Sequence, residues 1–272
     1  MLYLCSEIKF LKMLMLGAIA GDIIGSTREV RNIKTIDFNL FPPRSRITDD
    51  SVMTIAVADV LLKQGDYVKI MQHYGREYPD VGYGSAFKSW LKVESPEPYN
   101  SWGNGSAMRV SPVGWAGATL EWVLEEAKAS AEVSHNHPEG IKGAQSVAAA
   151  VFLAKTGASK ADIKQYVETQ FGYDLNRTMD KIRPNYTFDV SCQGSVPESL
   201  IAFLESTDFE TAIRLAISIG GDSDTIASIA GGVAHAFYKK MPDVIAAYTW
   251  ASLPPPLEIV TWRFMEKYHI PY

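Results

Sequence analysis

Two short acidic motifs in the chain could do chemistry. Ile47-Thr48-Asp49-Asp50-Ser51 sets adjacent carboxylates behind a threonine, directly before an apolar helical pattern. Gly220-Gly221-Asp222-Ser223-Asp224-Thr225 sets alternate carboxylates and a threonine before another. Taken singly, each reads as a helix cap, because Thr and Asp accept from free N–H groups and complement the helix dipole. Taken together they read differently, since carboxylates crowded at helix starts repel one another unless cations sit among them. The donors are all oxygen, which suits Mg²⁺, Mn²⁺ or Ca²⁺ better than zinc. A pair of such cations can clamp hydroxyls and activate a water.

Three further segments carry reactive or anion-binding groups. Gly21-Asp22-Ile23-Ile24-Gly25-Ser26-Thr27-Arg28-Glu29 closes a helix rich in small residues and leaves Glu29 just beyond its end. Glu29 is there either a solvated surface carboxylate or a group turned into a site. Trp102-Gly103-Asn104-Gly105-Ser106-Ala107-Met108-Arg109 has glycines that let N–H groups converge on phosphate oxygens, although the same pattern marks a turn. Arg109 serves either an anion or an internal ion pair. In Ser134-His135-Asn136-His137-Pro138 neither imidazole has the spacing of a helical metal pair, so each is open to a capping or core role.

The elements that must position these groups are helices almost throughout. Apolar periodicity predicts them at 13–26, 50–64, 119–133, 138–156, 159–170, 197–205, 208–220, 222–240 and 257–268. Asp208 offers a cap and Pro138 suits a first helical position. Tyr186–Val190 is a weak strand candidate, and 93–105 and 252–256 are turn-rich. Gly17-Ala18-Ile19-Ala20-Gly21 and Ala227-Ser228-Ile229-Ala230-Gly231-Gly232 cost helix propensity, a cost justified where two backbones approach closely. The expectation is a single, mainly α domain over 13–272, preceded by a poorly patterned extension, 1–12, with Met13 and Met15 as alternative starts.

Composition narrows the class. The chain has 272 residues, 47% of them hydrophobic and 21% charged, as in soluble globular proteins. A net charge of −5 with no basic run argues against a nucleic-acid scaffold or a polybasic membrane binder. The longest apolar stretch, Met13 to Gly25, contains Asp22 and falls short of the ~20 residues of a membrane span. Cys5 and Cys192 form no framework, which points to a reducing, cytoplasmic setting.

The ordered motifs GDxxGxxxE, TDD, PDxGYG, GNGSAMR, SHNHPEGIKGA and GGDSDTIASIAGG, from about residue 13 to about 240, resemble the ADP-ribosylglycohydrolase family. The resemblance implies an all-α orthogonal bundle in one domain, with a centre of two divalent cations, Mg²⁺ or Mn²⁺, at helix N-termini. It implies Thr48, Asp49, Asp50, Asp222, Asp224 and Thr225 as metal ligands and Glu29 or Asp80 as the acid–base group. Gly103, Asn104, Gly105, Ser106, Ala107, Met108 and Arg109, with His135, become substrate-binding residues holding the diphosphate and proximal ribose.

The implied reaction is metal-dependent hydrolysis of the glycosidic bond between ADP-ribose and its acceptor. The expected partner is an ADP-ribosylated protein or a small ADP-ribosyl compound; the oligomeric state is left open, with a monomer favoured. A non-catalytic ADP-ribose-binding module and a metal-dependent diphosphate or phosphoester hydrolase are the alternatives.

Overall fold

Gly17, Gly21 and Gly25 recur at intervals of four, so they line one side of a helix and leave its backbone bare. In the computed structural model, which describes residues 16–268, they belong to α1 (Leu16–Gly25), and that bare side lies against α13 (Ser223–Tyr238). The approach is backbone to backbone. A Cβ built on Gly21 would lie 2.0 Å from the Ala227 carbonyl oxygen, and one on Gly17 2.4 Å from that of Gly231. The Gly17 N–H donates to Nδ1 of His235 on α13 at 3.2 Å, and burial pulls that imidazole down to about 3, keeping it a neutral acceptor.

The other helices build outward from this pair. They are α2 (Asp49–Lys63), α3 (Tyr67–Glu77), α4 (Ser85–Lys92), α5 (Gly105–Met108), α6 (Ser111–Ala116), α7 (Leu120–Glu132) and α8 (Pro138–Lys155). There follow α9 (Lys160–Phe171), α10 (Met179–Ile182), α11 (Cys192–Glu205), α12 (Phe209–Ser218), α14 (Asp243–Ala251) and α15 (Pro255–Lys267). Helices α8, α11 and α12 pack on α13, which is buried from Ser223 to Ala236; α2 packs on α1, α3, α6 and α15. The all-α expectation holds, with no strand among the described residues. None of their helices is long and apolar enough to cross a membrane.

Most predicted helices are present with ends shifted by a residue or two. Asp208 caps α12 by accepting from Thr211 N at 2.7 Å, and Pro138 opens α8 behind His137, whose Nδ1 accepts from Glu139 N at 3.1 Å. Three differences have local causes. The helix expected from 197 begins at Cys192, because Ser191 caps it by accepting from Gly194 N, and Pro197 lies inside it. The strand candidate Tyr186–Val190 is irregular chain ending beside a single bridge, Gly103 to Ser191. Helix α3 escaped the periodicity reading, as did α4, α5, α6, α10 and α14, although Asp66 caps α3 by accepting from Lys69 N at 2.8 Å. Cys192 is a buried free thiol. The expectations for 1–12, Met13, Met15 and Cys5 lie outside the described residues.

Replacing Gly21 with alanine tests the central contact. Its methyl has no room against the Ala227 backbone, so Gly21→Ala is expected to lower unfolding free energy by about 3 kcal/mol in urea titration. Unchanged stability would contradict the close approach.

Candidate active site

The first acidic motif is held by a residue outside it. Asp22, fully buried on α1, accepts from the Thr48 N–H at 2.9 Å and the Thr48 hydroxyl at 2.6 Å. It also accepts from the Ser51 N–H at 3.1 Å and from the Ser51 hydroxyl. These four donors fix the start of α2, where Thr48 is the N-cap and Asp49 and Asp50 fill the first turn. The Asp49 N–H is occupied by the Val81 carbonyl at 3.1 Å, so the backbone of 81–82 forms the facing wall.

The second motif follows a turn that only glycine tolerates well. Gly220 and Gly221 both sit in the left-handed region, at φ +70° and +74°, so side chains there would be strained. Asn32 clamps this turn, accepting from the Gly221 N–H at 2.7 Å and donating to the Gly221 carbonyl at 3.0 Å. The same Asn32 amide donates to the Glu29 carbonyl at 3.0 Å, tying the Glu29 loop to the start of α13. Asp222 stands at the N-cap position without a side-chain capping bond. Its Oδ2 instead accepts from Asn104 Nδ2 at 2.8 Å.

The two motifs meet. Donor oxygens of Asp22, Asp50 and Asp224 lie within 4.8 Å of one another, and so do those of Glu29, Asp222 and Asp224. Asp224 belongs to both trios. The Thr225 hydroxyl donates to Asp50 Oδ2 at 3.3 Å, while Asp50 Oδ1 is buried with no partner among the described residues. Burial, reinforced by neighbouring carboxylates, pushes Asp50 and Asp224 far above the usual carboxylate range and Asp49 up to about 7. Burial also outweighs the donors on Asp22 and lifts it to about 6, and it raises Asp222. Glu29 is raised by burial and then by Asp222, against the opposing pull of Arg46. An all-oxygen cluster with an orphaned buried oxygen suits hard divalent cations, whose charge would relieve this crowding.

A cleft of about 400 Å³ joins this cluster to the glycine loop. Glu29, Thr48, Asp49, Asp50, Asp222, Asp224 and Thr225 line it, together with Gly103, Asn104, Gly105, Met108, Arg109 and His135. Two loop residues go elsewhere, because α5 turns one side into the core: Ser106 donates to the Gly140 carbonyl at 2.8 Å, and Ala107 is fully buried. Asp80 is exposed and outside the cleft wall, since its neighbours Val81 and Gly82 occupy that place. Arg109 forms no ion pair among the described residues; its Nη2 donates to the Ser130 carbonyl at 2.7 Å and the Ser134 hydroxyl at 3.1 Å. Burial draws that guanidinium down to about 10, still charged at neutral pH.

Sequence reasoning missed Asp22, Asn32 and the cleft residues Arg46, Tyr99 and Phe188. Only Asp22 carried a usable signal, as the one charge in the apolar run 16–25. Asn32 and Phe188 sit in irregular segments where spacing says nothing.

Two outcomes follow for the metal-free protein. Asp22→Ala strands the Thr48 and Ser51 N–H groups and should cost roughly 2–4 kcal/mol in denaturant unfolding. Carboxylates raised in the fold hold protons that the unfolded chain has already released. Stability in EDTA should therefore fall as pH rises from about 4 to about 7, the span between ordinary carboxylate values and those of Asp22 and Asp49. A flat or rising profile would contradict the crowding.

The ADP-ribosylglycohydrolase profile matches residues 9–249. The chain is 26% identical to the human (Homo sapiens) ADP-ribosylhydrolase ARH3 over 82% of this chain and 83% of that protein. It is 26% identical to the ADP-ribosylarginine hydrolase Tri1 of Pseudomonas putida over 82% of this chain and 69% of that one. A solved chain of an ADP-ribosylglycohydrolase-related protein complex superposes with a TM-score of 0.67 at 23% identity, covering 93% of this chain and 96% of its own, which speaks to fold. The profile takes in the α1–α13 pair, both acidic motifs and the glycine loop, and on that span the chain belongs to the ADP-ribosylglycohydrolase family of hydrolases.

Proposed function

We propose that the protein is a metal-dependent hydrolase of the glycosidic bond between ADP-ribose and a protein or small-molecule acceptor. The observation that carries this is the meeting of two carboxylate trios, sharing Asp224, with the Gly103–Gly105 loop and His135 in one cleft. Thr48, Asp49, Asp50, Asp222, Asp224 and Thr225 would hold two divalent cations, Mg²⁺ or Mn²⁺. Bound there, such cations supply charge that anchors ribose hydroxyls and acidifies a water.

The remaining chemistry belongs to the chain. The bond from ribose C1 to the acceptor breaks through an oxocarbenium-like state, and the oxygen of water joins C1. Glu29 takes the proton of that water and returns it to the departing acceptor atom, a role suited to a cleft-lining carboxyl that burial raises above its ordinary value. With Asp80 outside the cleft wall, Glu29 is the acid–base group in this reading. The diphosphate lies at the far end, against the glycine loop and the His135 imidazole. The names of the relatives support an ADP-ribosyl substrate, linked in Tri1 to arginine.

Mass-spectrometric product analysis decides the reading. ADP-ribosylated arginine and serine peptides, incubated with the protein and Mg²⁺ or Mn²⁺, should yield intact ADP-ribose. The yield should vanish in EDTA, fall by about 10²–10⁴ in rate with Glu29→Gln, and be abolished by Asp222→Ala. AMP plus ribose phosphate would instead mean diphosphate cleavage. Binding of ADP-ribose with no turnover of any linkage would mean a recognition module.

A further inference from the structure

Arg109, Ser134 and His135 form a hydrogen-bonded chain in the cleft wall. Arg109 Nη2 donates to the Ser134 oxygen at 3.1 Å, and Ser134 Oγ lies 2.8 Å from His135 Nδ1. All three side chains are buried, and His135 retains 5% exposure where it meets the cleft. A hydroxyl carries one proton and two lone pairs, and a guanidinium only donates. One Ser134 lone pair therefore takes the Arg109 N–H. The Ser134 proton has one acceptor within reach among the described residues, and that is His135 Nδ1. Were Nδ1 protonated, it would occupy the second lone pair and leave the hydroxyl proton buried and unpaired, the costlier arrangement.

We propose that Arg109 and Ser134 are positioning residues that lock His135 in its Nε2–H tautomer, so that the cleft wall presents a fixed neutral donor to a phosphate oxygen. Nε2 makes no hydrogen bond among the described residues, and it faces the glycine loop. A Cβ on Gly105 would lie 3.1 Å from it and one on Gly103 3.6 Å. Side chains at those positions would crowd the nitrogen; glycines leave it open. The Tyr99 ring, 5.7 Å away centre to centre, backs the imidazole. Burial, and then the Arg109 charge, hold His135 well below its ordinary pKa, in keeping with a neutral ring. Arg109 thus acts through Ser134, with one guanidinium nitrogen already committed to two wall oxygens. The identity of the anion rests on the ADP-ribosyl reading; the tautomer does not.

The test uses the full chain labelled with ¹⁵N-histidine, as wild type and as Ser134→Ala, each checked for folding by thermal unfolding. At neutral pH the wild-type His135 should show a protonated Nε2 and an Nδ1 shifted by accepting a hydrogen bond. In Ser134→Ala that shift should disappear and the second tautomer emerge. Titration with ADP-ribose should show affinity about fivefold weaker in Ser134→Ala, the scale of one mispositioned hydrogen bond. A protonated Nδ1 in the wild type, or an Nδ1 signal unmoved by Ser134→Ala, overturns the lock. Equal ADP-ribose affinity in the two proteins overturns the donor role. Wild type that binds no ADP-ribose defeats the proposed function instead, and the spectra still decide the tautomer.

Discussion

The contact between α1 and α13 sets the geometry of everything that reacts. Helices normally meet at 8–10 Å because side chains stand between them. Gly17, Gly21 and Gly25 remove that layer, and a Cβ on Gly25 would fall 2.5 Å from the Asp224 Cα. The last turn of one helix is thereby pressed against the first turn of the other. Asp22 on α1 and Glu29 in the turn just beyond it meet Asp222 and Asp224 where α13 begins, and Asp22 draws the start of α2 to the same place through Thr48 and Ser51.

Carboxylates gathered in this way work against folding. Their raised pKa values express the burial and mutual repulsion that the fold sustains, and packing elsewhere offsets that cost. A cluster made this rigid cannot spread to relieve itself, so it is prepared for a compensating charge. Asn104 links the cluster to the rest of the cleft, donating to both Asp222 Oδ2 and Ser195 Oγ at 2.8 and 3.0 Å. Its own N–H goes to the Val190 carbonyl at 2.7 Å, which anchors the glycine loop on the segment entering α11. The acidic end and the loop end of the cleft are therefore parts of one hydrogen-bonded frame.

What the sequence made legible follows from the range of each interaction. The small-residue helices, the cap at Asp208 and Pro138 at a first helical position are local patterns, and their readings carry into the structure; the acidic motifs are local too, and the structure brings them together. Asp22 and Asn32 act on residues far away in the chain, Asp22 on Thr48 and Asn32 on Gly221, so no window of neighbouring residues contains the reason for them. The glycine loop is an intermediate case. Its backbone position was readable, but the direction of each side chain depends on where α5 meets α8, and that contact sends Ser106 inward to Gly140. Asp80 shows the same limit: the motif around it forms the wall, whereas its own carboxylate does not.

Charge placement then assigns a direction to the proposed substrate. Glu29, Asp49, Asp50, Asp222 and Asp224 match in number the whole formal excess of −5, and all five line one cleft. A diphosphate set against bare carboxylates would be repelled, and at short range in a buried cleft that repulsion is weakly screened. The opposite end offers a buried guanidinium with no carboxylate partner among the described residues, a neutral imidazole and glycines that admit close backbone approach. In the proposed reading, an ADP-ribosyl group entering this cleft would place its phosphates toward the His135 end. Its terminal ribose, which is uncharged and bears hydroxyls, would then face Glu29 and the carboxylate trios. Divalent cations would fit at that ribose end, where the two carboxylate trios lie among the described residues. The mild acidity of the chain thus has a location, and the location orders the substrate.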